Sequence, residues 1–196
     1  MFSTLIIATG NNNKYREFKQ IISETAGNNF ADEIIFAPEL AHMTVNETGH
    51  SYSENSMLKA TAWTQRSGLP CLADDSGLEV DALNGAPGLY SARTVQGNDN
   101  DKVSHLLSQL KGCSNRNAKF KAALCLCVPD EFILITEGLC SGTITESPRG
   151  SNGFGYDPVF IPDGYNQTFA ELSGSIKNKI SHRTDAFRKL KAILLK

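Results

Sequence analysis

Leu5-Ile6-Ile7-Ala8-Thr9-Gly10-Asn11-Asn12-Asn13-Lys14 is the stretch on which the fold turns. Residues 5–8 are a short apolar run of strand character, and residues 9–13 are a polar Gly-Asn turn. From Lys14 the apolar period changes: Tyr15, Phe18, Ile21 and Ile22 share one helical face, and Gly27 is a natural stop. A buried strand that passes through a short turn into an amphipathic helix is the opening of an α/β chain. The same alternation continues with a strand over residues 34–36. A helix is then announced by the capping-box spacing of Ser51 and Glu54, running through Met57, Leu58 and Trp63 until Gly68 and Pro70. A strand over residues 71–73 follows and is expected to end at Asp74.

The second half changes character. Val103, Leu106, Leu107 and Leu110 recur at helical spacing before Gly112, with Asn98 or Asp99 as the cap. Residues 119–128, 132–136 and 139–144 read as consecutive antiparallel strands broken at Pro129-Asp130 and Glu137-Gly138. A Gly- and Pro-rich loop covers residues 145–158, a strand residues 159–161, and a last helix contains Ala186, Leu190, Ile193 and Leu194. The expectation is an α/β fold with a mixed β-sheet flanked by helices. It is a single domain over residues 1–196, built as two lobes with the active site in the cleft between them. No repeat or low-complexity linker marks a boundary.

Bulk properties exclude several classes. The chain has 196 residues, with 19 basic against 21 acidic residues and a formal net charge of -2. That balance lacks the positive field that a nucleic-acid backbone attracts, so no nucleic-acid polymer is expected as partner. Its apolar runs are far shorter than the roughly 20 residues of a membrane span. No basic region precedes an apolar one at the start, so the expectation is no membrane and a cytoplasmic location. The five cysteines, Cys71, Cys113, Cys125, Cys127 and Cys140, have no zinc-site spacing and read as reduced core residues.

Four places carry chemistry. Thr9, Gly10, Asn11, Asn12, Asn13 and Lys14 lie between strand and helix, where free N–H groups and the helix dipole favour phosphate; the same residues also make ordinary turn and cap chemistry. It is not a Walker A loop, and no G-x-G-x-x-G follows a strand. Asp74-Asp75-Ser76-Gly77 places two adjacent carboxylates at the expected end of a strand, where ligands of α/β sheets gather. One or two such carboxylates suffice for Mg²⁺, and an acid near a metal can also take a proton from water; a solvated turn is the plain alternative.

Ser151-Asn152-Gly153-Phe154-Gly155-Tyr156-Asp157-Pro158 lets backbone approach a ring on which Phe154 or Tyr156 stacks, or else is a turn whose aromatics anchor it in a core. Lys177 and Ser181-His182-Arg183 lie at or near the start of the last helix, as ligand contacts or as solvated charges and a helix-start residue.

Taken in order, these motifs resemble the inosine triphosphate pyrophosphatase family, which hydrolyses (deoxy)inosine and xanthosine triphosphates to monophosphate and pyrophosphate. The resemblance runs along nearly the whole chain: Ala8-Thr9-Gly10-Asn11 with Lys14, Glu47-Thr48-Gly49, Glu54-Asn55 with Lys59, Asp74 to Gly77, Gly85-Ala86-Pro87-Gly88, Tyr90 to Arg93, Gly153 to Pro158, and Ser181-His182-Arg183. It implies that residues 9–14, Lys59 and Lys177 hold the triphosphate. Asp75 would bind Mg²⁺ and accept a proton from water, and Ser76 would contact substrate. Phe154, Gly155, Tyr156, Asp157, His182 and Arg183 would face base and sugar, and the enzyme would be a homodimer. One departure stands out: where relatives commonly carry a metal-binding Glu, this chain has Asn46, so Glu47 or Asp74 takes over or the metal keeps another water. On the base side, Arg183 or backbone N–H groups could bond the 6-oxygen and N7 of hypoxanthine or xanthine, as arginine reads guanine.

Overall fold

The computed structural model describes residues 2–27 and 30–195. Its first strand, β1 (Phe2–Ile7), leads into α1 (Asn12–Ala26). Asn11 caps α1 by accepting hydrogen bonds from the N–H groups of Asn13 and Lys14, and Gly27 ends it at φ 65°. Then come β2 (Ala31–Phe36), the short α2 (Ala37–Leu40), α3 (Tyr52–Ser67) and β3 (Cys71–Val80). Ser51 caps α3, and Gly68 terminates it in the left-handed conformation. The chain continues through α4 (Asp99–Gln109), β4 (Asn117–Val128), β5 (Phe132–Ile144), β6 (Phe160–Pro162), α5 (Gly174–Ile180) and α6 (His182–Leu194).

The strands form one six-stranded sheet in the order β2-β1-β3-β4-β5-β6. β1 pairs in parallel with both β2 and β3, and β5 pairs antiparallel with β6, so the sheet is mixed as expected. Among the described residues no helix is long and apolar enough to cross a membrane.

The chain divides into two compact units: residues 1–75, 122–138 and 183–196, and residues 76–121 and 139–182. In the first unit, strand alternation builds a core on each face of the sheet. Leu5 and Ile7 of β1 and Leu72 of β3 pack with Phe18, Ile21 and Ile22 of α1 and with Ala186, Phe187 and Leu190 of α6. Ile6, Ala8, Cys71 and Ala73 point the other way, to Ala60 and Trp63 of α3. The second unit has its own core, in which Leu78 and Val80 meet Val103 and Leu106 of α4, Leu110 just after it, and the aromatic group Phe120, Phe160 and Phe169.

Three sequence expectations change. β3 does not end at Asp74 but runs on to Val80, so Asp74 and Asp75 lie within a strand rather than on one loop. Aspartate is a poor strand former, but both side chains find buried partners, and Leu78 and Val80 supply core beyond them. The two strands expected on either side of Glu137-Gly138 are one strand, β5. Its in-and-out burial continues unbroken through that pair, with Glu137 outward and accepting from Ser53 Oγ at 2.7 Å. Lys177 sits on the separate short helix α5, because Ser181 interrupts the helical path with extended backbone before α6 begins.

Candidate active site

Alternation along β3 decides the first unit's arrangement. Leu72 faces α1 and α6, so Asp74, two residues on, faces them as well; Ala73 faces α3, and so does Asp75. The neighbours agree. Lys14 of α1 places Nζ 3.1 and 3.2 Å from the two oxygens of Asp74. Arg183 of α6 brings Nε to 3.2 Å from Asp74 Oδ2 and Nη1 to 3.0 Å from Glu17 Oε2. Burial works to raise the Asp74 carboxyl, but Arg183, Lys14 and Lys59 outweigh it and hold Asp74 well below the usual carboxylate range.

Asp75 faces α3. Asn55 Nδ2 donates to its Oδ2 at 3.0 Å, and the Lys59 ammonium lies 3.7 Å from its Oδ1. The same ammonium is 2.6 Å from Glu47 Oε1, so Glu47 and Asp75 converge on one positive charge. Burial pushes the Asp75 carboxyl up, and Lys59, Lys14 and the Asn55 hydrogen bond oppose that only in part. Adjacent aspartates in one strand thus have opposite electrostatics, one held ionised and one poised above its ordinary range. Of the two acids considered in place of a glutamate at Asn46, Asp74 is taken up by Lys14 and Arg183, while Glu47 shares Lys59 with Asp75.

The loop from Thr9 to Asn13 joins β1 to α1 and is exposed from Gly10 onward. Its side chains perform local turn chemistry: Thr9 Oγ1 accepts from the Asn11 N–H at 3.1 Å, and Asn11 caps the helix.

The second unit gathers the remaining candidates. Asp157 Oδ2 accepts from the Phe154 N–H at 2.8 Å and from Lys177 Nζ at 2.6 Å, which closes the glycine-rich loop into a tight turn. Gly153 at φ 76° is required there, since a Cβ would run into the Asp157 carboxylate. Asp99, at the start of α4, accepts from the Gly155 N–H at 2.7 Å. Tyr156 is a core residue whose hydroxyl donates to Ser91 O, whereas Phe154 is half-buried with Lys177 Nζ 4.7 Å from its ring centre. His182 is buried and stacks on Phe120 with ring centres 4.9 Å apart. Ser76 opens this unit directly after Asp75, and Arg183 follows His182 back into the first.

Asn55, Glu17 and Asp99 were not singled out as site residues from sequence. Glu17 had a visible signal, a carboxylate on the apolar face of α1 next to Phe18, where an unpaired charge would be costly. Asn55 stands one turn before Lys59 in the sequence, and only the packing of α3 shows that its amide is buried.

The family model of the Ham1 family matches residues 5–193. The chain belongs to the Ham1 family. A relative from Bacillus licheniformis named dITP/XTP pyrophosphatase is 45% identical over 196 residues, covering 97% of each chain. Among solved structures, the Ham1 protein of Staphylococcus aureus superposes with a TM-score of 0.83 at 37% identity, covering 97% of both chains. The HAM1 protein of Coxiella burnetii gives 0.85 at 35% identity, covering 98% of both. This Ham1-family chain therefore shares its α/β fold with those proteins over nearly the whole of their length.

Proposed function

We propose that this chain hydrolyses the non-standard purine triphosphates dITP, ITP and XTP to the nucleoside monophosphate and pyrophosphate. One observation carries the reading most: the Lys59 ammonium, 2.6 Å from Glu47 Oε1 and 3.7 Å from Asp75 Oδ1, brings two carboxylates together around one charge. The full-length similarity to relatives named dITP/XTP pyrophosphatase supports the substrate class.

Glu47 and Asp75 fit a hard divalent cation. Among the described residues no group of three or more His, Cys, Asp or Glu is arranged to hold a metal. That donor set suits Mg²⁺, which takes one or two carboxylates and completes its shell with water and substrate phosphates. Bound there, the ion would neutralise charge as it develops on the leaving pyrophosphate.

The protein's own groups supply the rest. Water attacking a polyanion meets repulsion, and the ammonium groups of Lys14, Lys59 and Lys177 with the N–H groups of residues 9–14 are assigned to reduce it. Asp75 accepts the proton of the attacking water, its carboxylate held for that task by Asn55 Nδ2 at 3.0 Å. Ser76 is assigned to substrate, and Phe154, Gly155, Tyr156, Asp157, His182 and Arg183 to base and sugar, with Phe154 the aromatic best exposed for stacking. Arg183, whose Nε and Nη1 are held by Asp74 and Glu17, is assigned to the base edge, where an adenine 6-amino group would set donor against donor. The enzyme is assigned to the cytoplasm, as a homodimer.

The test is a panel of purine triphosphates with pyrophosphate and orthophosphate both measured, for the wild type, Asp75→Asn and Arg183→Ala. Pyrophosphate should appear in one cut, fastest from dITP, ITP or XTP, and Asp75→Asn should slow it at least about 100-fold. Arg183→Ala should lower the ratio of ITP to ATP hydrolysis; an unchanged ratio removes Arg183 from base reading. Direct release of orthophosphate would sink the proposed reaction.

A further inference from the structure

We infer that Asn55 is a positioning residue that orients the Asp75 carboxylate and ties it to the segment carrying Glu47. The inference rests on the catalytic role proposed for Asp75.

Asn55 is 1% exposed, so both ends of its side chain must be satisfied inside the protein. Its Oδ1 accepts from the Gly49 N–H at 2.8 Å. A backbone N–H can only donate, which fixes the oxygen of the amide on that side and leaves Nδ2 to face Asp75 Oδ2 at 3.0 Å. Asn55 therefore offers Asp75 a donor and nothing else. The Lys59 ammonium, one helical turn further along α3, lies nearest the other oxygen, Oδ1. Amide and ammonium hold the two oxygens from one helix and set the plane of the carboxylate.

Both rungs also reach the segment before α3. Lys59 meets Glu47, and Asn55 meets Gly49. A further bond, from the His50 N–H to Glu54 Oε2 at 2.6 Å, fastens the same segment to the first turn of α3. Gly49 has a steric reason to be glycine: a Cβ there would lie 2.6 Å from Glu54 Cβ and 2.7 Å from Asn55 Oδ1. The close approach that lets its N–H fix the amide leaves no room for a side chain.

The test is a double-mutant cycle on steady-state hydrolysis of ITP. Asn55→Leu keeps the side chain's shape and removes both polar functions. It should lower kcat roughly 10- to 100-fold, the usual effect of losing a group that orients a catalytic ligand, with KM changed far less. In the Asp75→Asn background the same substitution should have almost no further effect on kcat, because the group it orients is already altered. Gly49→Ala, which displaces the amide from its other end, should repeat the pattern and carries the test if Asn55→Leu does not fold. Thermal unfolding of each variant establishes that folded protein is being compared. An equal loss of kcat in both backgrounds would mean a merely structural role and would overturn the inference, as would a wild-type kcat for the folded variants. If Asp75→Asn alone kept the wild-type rate, the catalytic assignment of Asp75 would fall first and the inference with it.

Discussion

Asp74 and Asp75 differ in what their charges cost. Asp74 has a side chain with 0% exposure between Lys14 and Arg183, so Asp74→Asn leaves two cations around a neutral amide. Breaking a buried ion pair from one side is strongly unfavourable, and we expect a loss of about 3–5 kcal/mol in urea unfolding. Asp75→Asn should behave in the opposite sense. The fold disfavours the ionised form of Asp75, and Lys59 keeps Glu47 at 2.6 Å when Asp75 is neutralised. Its unfolding free energy at neutral pH should therefore be equal to or above that of the wild type, the pattern of a side chain retained for activity rather than stability. The roles of these two residues were only partly legible in the sequence. The Asp-Asp pair marked the place, but a pair written on a loop has no assigned faces, and only the continuation of β3 to Val80 separates the neighbours.

At the scale of elements, capping was readable and strand length was not. Ser51, Gly68, Asn98 and Gly27 stand at the helix ends that their local chemistry predicts, because a cap acts within one turn of chain. The extents of β3 and β5 depend on partner strands distant in sequence, so Asp74 and Gly138 looked like ends and are interior positions. α3 carries Asn55 and Lys59, which makes its caps relevant to the site. Ser51 Oγ accepts from the Glu54 N–H at 3.1 Å, and Ser51→Ala should cost about 1 kcal/mol. Gly68 sits at φ 69°, and Gly68→Ala should cost about 1 kcal/mol through left-handed strain. Both losses are read by thermal or urea unfolding. Only Ser51→Ala, which loosens the turn next to Gly49, should also lower kcat.

For the whole molecule, the two aspartates predict a pH dependence with a defined sign. Asp74 is depressed in the folded protein, so its contribution is complete above the unfolded value near 3.8 and is lost as pH falls below it. Asp75 is raised, so its ionisation weakens the fold as pH climbs from the unfolded value through the higher folded one. The stability gap between wild type and Asp74→Asn should accordingly close on acidification below about pH 4, whereas any advantage of Asp75→Asn should vanish as pH drops to that same region. Urea midpoints measured from pH 3 to pH 8 would show whether the two curves bend in opposite directions.

The alternation of β3 also bears on which changes in chain length a gene for this protein tolerates. Removing one codon between Cys71 and Asp74 would turn every following side chain of the strand over, handing Asp75 to the lysine and arginine that hold Asp74 and presenting Ser76 to Asn55 and Lys59. The same loss in the connection over residues 129–131, between β4 and β5, would alter a turn at the surface. Surviving lineages should therefore vary in length at that turn and never between Cys71 and Asp75, a pattern imposed by parity along one strand before any selection on the chemistry itself.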